Sequence, residues 1–199
     1  MLDYTKKAKN YDKRWQHYCF PSFSKSIKII DLNQAGKLLD VGCGTGIFLE
    51  ILEKKYPSSQ LYGIDPNQAM LEKASEKVSS KVTLEAGSAE SLPYDSQSFD
   101  WVVLSNCLGH IKHQEAALNE ARRVLKNTGK VIITDWTKDF LAMRLVNLYA
   151  QVFDYAEYNS LRSSETIAMM EKLHFECISS ESYKINWFWG LYTIIGKKR

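Results

Sequence analysis

The stretch Leu38-Leu39-Asp40-Val41-Gly42-Cys43-Gly44-Thr45-Gly46 joins an apolar strand candidate to a loop of three alternating glycines. Residues 47–56 then have the apolar spacing of a helix, and a proline follows them. Glycine has no Cβ, so this loop can turn sharply and let a ligand approach its backbone. Unpaired N–H groups at the start of the next helix suit a carboxylate or a phosphate. The alternative interpretation is a plain turn between a strand and a helix.

The spacing of the glycines distinguishes between classes of nucleotide-binding loop. A dinucleotide fingerprint has the form GxGxxG, whereas here the third glycine comes one residue early and Ile47 takes the fingerprint position. No GK[ST] follows, as a P-loop would require. The spacing therefore disfavours an NAD-dependent or FAD-dependent oxidoreductase and a P-loop enzyme.

Short apolar runs alternate with helical patterns through the first two thirds of the chain. Strand patterns cover residues 38–41, 60–64, 82–84, 99–104 and 130–134, and helical patterns cover residues 47–56, 67–78 and 114–126. This alternation predicts a parallel sheet with right-handed crossovers. Asn67 is expected to cap the second helix, and Asn127-Thr128-Gly129 predicts the end of the third.

The terminal segments follow different patterns. Two helical patterns cover residues 138–158 and 164–173, and two strand patterns that predict an antiparallel hairpin cover residues 175–185 and 189–195. The first of these helices has an apolar face that predicts burial in the core, formed by Leu141, Leu145, Leu148 and Val152. Ser163 or Ser164 is expected to cap the second helix. Residues 1–35 predict a helical preface with a break near Pro21.

Asp65 ends the second strand pattern, 23 residues after Gly42. An ionised carboxylate is acceptor-only, so it can accept hydrogen bonds from both hydroxyls of a ribose. An acid about 20 residues beyond the glycine loop is the usual ribose ligand in such folds. The alternative is a local cap in front of Pro66, and the two roles are compatible.

The composition indicates one globular domain. The chain has 199 residues, 45% of them hydrophobic and 25% charged. No apolar run is long enough to span a membrane, and the four cysteines form no CxxC pair or metal-ligand spacing, which favours a reduced, cytoplasmic setting without a metal. The net charge is +3, and the two ends of the chain carry an excess of lysine and arginine over acidic residues. A solvated terminus explains this better than a nucleic-acid partner.

Five ordered segments make the sequence similar to the class I S-adenosylmethionine-dependent methyltransferases, in the small-molecule group that includes quinone-biosynthesis enzymes. The segments are Leu38–Gly46, Tyr62–Asp65, Gly87–Tyr94, Ser98–Val103 and Glu120–Lys130. The resemblance implies an α/β, Rossmann-like, seven-stranded, mostly parallel sheet with helices on both faces and an antiparallel last strand. It implies a single domain with an N-terminal helical lid at 1–35, a cofactor-binding core at 36–136, and substrate-side helices and strands at 137–199.

The resemblance also implies roles for individual residues toward S-adenosylmethionine. The methionine end would be held by Asp40, Gly42, Cys43, Gly44 and Gly46, the ribose by Asp65 with Pro66, and the adenine by Ser88 and Ala89. Asn106 would face the methionine and the acceptor, and Tyr11 is the first choice for a lid residue. Two positions depart from the family pattern. Ser88 replaces an acid, and His174 replaces a helix-ending glycine, which is tolerated if the turn needs no positive φ.

The implied reaction moves a methyl group to a small-molecule acceptor by in-line displacement. Orientation dominates such a transfer, and a base is needed only if the acceptor must lose a proton. His110 is the candidate catalytic base, ahead of Asp135 and of His113, which is expected to be a solvent-facing helix cap. The candidate lid aromatics are Tyr4, Tyr11, Trp15, Tyr18, Trp136, Phe140, Tyr149, Phe153, Tyr155, Tyr158, Trp187, Phe188 and Trp189.

Three other functions stay open at this point. The chain could bind S-adenosylmethionine without catalysis, or could be an NAD-dependent oxidoreductase, which the glycine spacing disfavours. It could also methylate nucleic acid, although Ser105-Asn106-Cys107-Leu108 stands where an NPPY-type motif would be expected. The sequence leaves open the identity of the acceptor, the atom that is methylated and the oligomeric state.

Overall fold

The computed structural model describes residues 11–32, 36–153, 159–187 and 189–199. Its strands are β1 Lys37–Val41, β2 Gln60–Asp65, β3 Thr83–Ala86, β4 Phe99–Ser105, β5 Leu125–Trp136, β6 Phe175–Lys184 and β7 Gly190–Lys198. They form one seven-stranded sheet in the order β3-β2-β1-β4-β5-β7-β6. The pairs among β1 to β5 are parallel, and β7 runs antiparallel to both of its neighbours. The predicted Rossmann-like sheet with an antiparallel last strand is therefore confirmed.

Helices cover both faces of this sheet. They are α1 Tyr11–Ile29, α2 Ile47–Lys55, α3 Gln68–Ser75, α4 Gln114–Val124, α5 Leu141–Phe153 and α6 Ser163–Lys172, with a short 3₁₀ turn at Leu108–His110. Successive residues of β1 alternate between two cores, because side chains of a strand point to opposite faces. Leu39 packs in the core that includes α4 and α6, whereas Leu38 packs in the core that includes α1 and α2. None of the helices in the described ranges is long and apolar enough to cross a membrane.

Several predicted boundaries are corrected by the structure. Asn127-Thr128-Gly129 does not end a helix, because α4 stops at Val124 and Leu125 already pairs with Phe99 in the sheet. The predicted break near Pro21 is absent, and α1 continues through it. The missing proline N–H removes one helical bond, but buried side chains on both sides hold the helix against the sheet: Tyr18, Cys19 and Phe23.

Two helix caps were tested by the structure. Asn67 caps α3 as predicted, since its side chain accepts a hydrogen bond from the N–H of Met70. Ser163 and Ser164 do not cap α6, because both lie inside the helix and Arg162 is the N-cap residue. The carboxylate of Glu165 instead accepts from the backbone N–H of Arg162 at 2.7 Å.

The orientation of α5 is the largest departure from the sequence pattern. Three residues of its predicted core face are 72%, 65% and 59% exposed, namely Leu141, Leu145 and Leu148. The side chain of Val152 lies outside the described residues. Met143 and Asn147 are buried instead, and Asn147 Oδ1 accepts hydrogen bonds from the N–H and hydroxyl of Ser160. The prediction of a buried leucine face was wrong, because tertiary hydrogen bonds set the rotation of this helix.

The parallel strands place their carboxyl ends along one edge of the sheet. β1 ends at Val41, beside Ile64 of β2 on one side and Leu104 of β4 on the other. Ser105 then pairs with Thr134 of β5. The loops that follow these strands must therefore lie close together, and they contain most of the residues singled out in the sequence.

Candidate cofactor and acceptor site

The glycine loop is held against β2 by backbone hydrogen bonds. The N–H groups of Gly42 and Cys43 both donate to the carbonyl of Ile64, at 2.8 and 3.1 Å. Gly42, Gly44 and Gly46 have φ values of +72°, +54° and +77°, so all three lie in the left-handed region that favours glycine. The predicted sharp turn between strand and helix is confirmed at these three positions.

The three glycines serve different physical purposes. A Cβ on Gly42 would lie 2.6 Å from the Cβ of Cys107, and one on Gly46 would lie 2.8 Å from the Cβ of Ala74. These two positions are therefore needed for close packing within the protein. A Cβ on Gly44 would meet nothing within 4 Å. Gly44 thus presents bare backbone to open space, which is the property a ligand-binding loop requires.

Asp65 lies directly opposite Gly44. Its Oδ2 accepts the N–H of Gly44 at 2.9 Å, and its Oδ1 accepts the N–H of Asn67 at 2.9 Å. Each carboxylate oxygen has two lone-pair sites, so one on each oxygen remains for a further donor. The side chain is about 9% exposed. The carboxylate is thus oriented by the glycine loop and keeps acceptor capacity.

A second carboxylate, Asp40, lies at the end of β1 near Asp65. Burial raises its pKa well above the usual range, and the negative charge of Asp65 adds to this effect. Burial also raises the pKa of Asp65, against the two backbone N–H groups that lower it. Two buried carboxyl groups disfavour an anionic ligand and would be stabilised by a cationic one. These two carboxyl groups suit the positively charged ammonium and sulfonium groups of S-adenosylmethionine better than they suit the negatively charged pyrophosphate of a dinucleotide.

The segment after β3 contains Ser88 and Ala89. Ala89 is buried, whereas Ser88 is exposed and its hydroxyl donates to the carboxylate of Glu90. The N–H of Glu90 returns a bond to the same hydroxyl at 3.2 Å. Although position 88 lacks the acid that the family pattern has there, the carboxylate of Glu90 lies beside it. Glu90 was not among the predicted site residues. Its signal was present in the sequence, two residues from the expected position.

Asn106 connects the end of β4 to α1. Its Oδ1 accepts from the hydroxyl of Tyr18 at 2.5 Å, and its Nδ2 donates to the hydroxyl of Ser22 at 3.0 Å. Its φ of +57° turns the chain away from the sheet, and its N–H donates to the carbonyl of Thr134. Asn106 is therefore positioned at the carboxyl edge, as expected, but its side chain is engaged by the helix that covers it.

The start of α1 is fastened to the glycine loop by a polar cluster. Asp12 accepts from the hydroxyl of Thr45 at 2.5 Å and forms an ion pair with Lys77 at 2.8 Å. Lys77 also donates to the carbonyl of Thr45. None of these three residues was singled out in the sequence, because their meeting depends on α1 folding back over the loop. The side chain of Tyr11, the predicted lid residue, lies outside the described residues.

The three candidate bases occupy different environments. His110 is exposed at the end of the 3₁₀ turn, close in sequence to Asn106. His113 is the exposed N-cap residue of α4, as predicted. Asp135 is only 3% exposed and both of its oxygens accept backbone N–H groups. His110 is therefore the accessible candidate, and Asp135 is enclosed.

Three aromatic rings form a cluster near Asn106. The ring centroids of Trp136 and Trp189 are 4.8 Å apart, and the ring of Tyr18 lies edge-on to both at 5.9 and 5.7 Å. Phe140 packs against Gly190 at the base of the final hairpin, and Trp187 is 84% exposed. The other candidate lid aromatics lie wholly, or with their side chains, outside the described residues: Tyr4, Trp15, Tyr149, Phe153, Tyr155, Tyr158 and Phe188.

Within the described ranges, no group of three histidine, cysteine or acidic side chains could hold a metal ion.

Comparison with known proteins finds similarity to methyltransferases. A methyltransferase domain family matches residues 39–133. The ubiquinone/menaquinone biosynthesis C-methyltransferase of Geobacter sp. (strain M21) is 35% identical over 132 residues, which are 63% of this chain and 53% of that protein. The demethylmenaquinone methyltransferase of Staphylococcus aureus (strain JH9) is 34% identical, over 65% of this chain and 54% of that protein. The chain thus spans about half the length of these relatives.

Solved structures show the same fold. An S-adenosylmethionine-dependent methyltransferase from Thermotoga maritima superposes with a TM-score of 0.81 at 21% identity, covering 98% of both chains. At this identity the likeness concerns the fold alone. Its extent shows that the described segments outside residues 39–133 also follow this architecture. A methyltransferase domain family therefore matches the segment 39–133, and the fold around that segment is the one seen in S-adenosylmethionine-dependent methyltransferases.

Proposed function

We propose that this protein transfers the methyl group of S-adenosylmethionine to a small-molecule acceptor. One observation carries the proposal: the bare backbone of Gly44 faces open space beside the buried carboxylates of Asp40 and Asp65. A nucleoside with a cationic amino-acid tail satisfies both features, because its sugar needs acceptors and its charge needs carboxylates.

The proposed cofactor contacts follow the chain from β1 to β4. The free lone pairs of Asp65 accept the two ribose hydroxyls, with Pro66 in the same turn. The glycine loop, including Cys43, and Asp40 hold the methionine end. Ala89 packs on the adenine, and Ser88 with Glu90 accepts from its amino group. Asp65 keeps one lone pair on each carboxylate oxygen for these contacts.

The chemistry needs alignment and exclusion of water more than it needs a reactive side chain. When bound, S-adenosylmethionine supplies a methyl group activated by the cationic sulfur. Asn106 and the aromatic cluster orient the acceptor, and α1 covers the site through Tyr18 and Asp12. Correct orientation of two reactants contributes about 7–11 kcal/mol to catalysis. His110 accepts a proton if the acceptor must lose one.

We propose a planar ring compound as the acceptor. One relative is named as a ubiquinone/menaquinone biosynthesis C-methyltransferase and another as a demethylmenaquinone methyltransferase. A planar ring would also pack well against the aromatic side chains of Trp136, Trp189 and Tyr18. The chain divides by function into a helical lid at 1–35, a cofactor-binding core at 36–136, and substrate-side helices and C-terminal strands at 137–199. A cytoplasmic setting suits the four free thiols.

Thermal melting with separate ligands tests the cofactor assignment. S-adenosylmethionine or S-adenosylhomocysteine at about 100 times its dissociation constant should stabilise the protein by about 2.7 kcal/mol, whereas NADH should have no effect. Stabilisation by NADH alone would contradict the proposal and favour an oxidoreductase.

Transfer of a labelled methyl group tests the activity itself. The protein is incubated with methyl-labelled S-adenosylmethionine and a panel of simple hydroquinones and naphthohydroquinones with free ring positions. Label in an organic-soluble product supports the proposal. Tight cofactor binding with no transfer to these rings, or to phenols and amines, would indicate a protein that binds the cofactor without catalysis.

A further inference from the structure

Asp135 accepts three backbone hydrogen bonds from two separate segments. Its Oδ2 accepts the N–H of Gly109 at 2.9 Å, its Oδ1 accepts the N–H of Trp136 at 2.7 Å, and the N–H of Leu108 also bonds to the carboxylate. The first segment is the 3₁₀ turn that presents His110. The second begins the aromatic cluster. One side chain at the end of β5 therefore joins the two segments on the acceptor side.

The carbonyl side of the same turn is held by other residues. Gln114 Nε2 donates to the carbonyl of Leu108 at 2.9 Å and to that of Asn159 at 3.1 Å. The N–H of Asn159 donates to the carbonyl of Gly109 at 2.8 Å. The turn is thus fixed on its carbonyl side by neutral groups and on its N–H side by a carboxylate. Among these partners, only Asp135 also reaches Trp136.

The charge of Asp135 is costly where it stands. Burial raises its pKa to about 6, although the three N–H groups act in the opposite direction. Cys107 from the β4 loop and Tyr192 from β7 face it, and burial raises the pKa of both, so both are neutral at neutral pH. A buried carboxylate balanced mainly by N–H dipoles is a poor choice for stability alone.

Asp139 provides an internal comparison four residues along the chain. Its Oδ2 accepts from the N–H and hydroxyl of Ser163 and from the hydroxyl of Ser182. Burial of Asp139 is partial, and these hydrogen bonds outweigh it, so the pKa is lowered. Asp139 therefore joins α6 to β6 at a gain in stability, and these hydrogen bonds of its side chain go to neither the 3₁₀ turn nor the aromatic cluster.

We propose that Asp135 is a positioning residue for methyl transfer: by holding the N–H groups of Gly109 and Trp136 together, it sets the geometry of the acceptor pocket. It touches neither reactant and acts through the orientation of His110 and of the Trp136 ring. The inference rests on the proposed function only in naming the pocket that these segments line.

Nuclear magnetic resonance of the full chain tests the link without any variant. Between pH 4.5 and 7.5 the amide signals of Gly109 and Trp136 should titrate together, with one apparent pKa of about 6. The indole signal of Trp136 should follow them. Independent titration of the two amides, or no change at either, would overturn the proposal.

Two matched variants separate positioning from support of the fold. Asp135→Asn should lower kcat/KM for the acceptor by about 10- to 100-fold at pH 7.5, with unchanged affinity for S-adenosylhomocysteine by calorimetry. Asp139→Asn should lower the melting temperature and leave kcat/KM unchanged. Equal losses in both variants, or loss of cofactor affinity in Asp135→Asn, would refute the role. If the wild type methylates no ring in the panel, the proposed acceptor fails, while the amide titration still decides the role of Asp135.

Discussion

The proposed cofactor side and the proposed acceptor side of this molecule are built in different ways. The cofactor side uses short loops that directly follow β1, β2 and β3, and its key contacts are backbone N–H groups and two carboxylates. The acceptor side is assembled from α1, the 3₁₀ turn, the start of α5 and the final hairpin, which are far apart in the chain. The comparison shows that a local loop can be recognised from a motif, whereas a pocket lined by distant segments cannot.

Loss of the Asp65 carboxylate is expected to have the largest effect, on the cofactor side. Asp65→Ala should weaken S-adenosylmethionine binding by about 3 kcal/mol or more, at least about 100-fold, because hydrogen bonds to a charged group contribute about 1.5–3 kcal/mol each. Isothermal titration calorimetry measures the change. Asp95→Ala is the control, because Asp95 is an exposed acid elsewhere on the surface. Unchanged affinity in Asp65→Ala would remove the ribose assignment.

The second prediction concerns how Asp135, the buried acid of the acceptor side, makes stability depend on pH. The folded protein keeps a proton on Asp135 up to a pKa of about 6, whereas the unfolded chain loses it near the ordinary value of about 3.9. Stability should therefore fall by about 3 kcal/mol as the pH rises from about 4 through about 6. Urea unfolding of wild type and Asp135→Asn across this range isolates the contribution. Parallel profiles for the two proteins would show that the carboxyl group is not perturbed.

The rotation of α5 gives a prediction that opposes the sequence pattern. Met143→Ala should cost about 2–4 kcal/mol, since Met143 is 2% exposed and its removal leaves a cavity. Leu145→Ala should change stability by less than about 0.5 kcal/mol, because the side chain is 65% exposed. Chemical denaturation of the two variants checks both values. A larger loss for Leu145→Ala would restore the leucine face as the buried one.

The smallest expected effect concerns His174, where the acceptor side departs from the family pattern. The turn after α6 requires a positive φ, and His174 adopts +59°. A non-glycine residue was expected to be tolerated here only if the turn needed no positive φ, and the turn does need one. His174→Gly should stabilise the protein by about 1 kcal/mol, because glycine reaches the left-handed region without steric cost. Thermal melting is the measurement, with His113→Gly at an exposed helix N-cap as the control; equal shifts would exclude strain at position 174.

The sequence was most informative where the motif and the local structure coincide. The strand, glycine loop and helix from Lys37 to Lys55, and the acid at the end of β2, lie where they were predicted, because each depends on nearby residues. The predicted order of strands and helices also matches, since apolar periodicity reports burial of each element. Two predictions failed where distant contacts decide, namely the face of α5 and the continuity of α1 through Pro21. The cap of α6 failed for a local reason, because Glu165 bonds back to Arg162.

The sequence alone therefore determined the fold class, the resemblance to the methyltransferases and the position of the glycine loop, because glycine conformation and strand periodicity are properties of short segments. Only the tertiary structure showed that Asp12 reaches Thr45 and Lys77, that Tyr18 holds Asn106, and that Asp135 joins two segments across the acceptor side. Such pairs lie between 26 and 88 residues apart in the chain, apart from Asp135 and its neighbour Trp136. Their side chains meet only because the folded sheet brings the ends of its strands to a single edge.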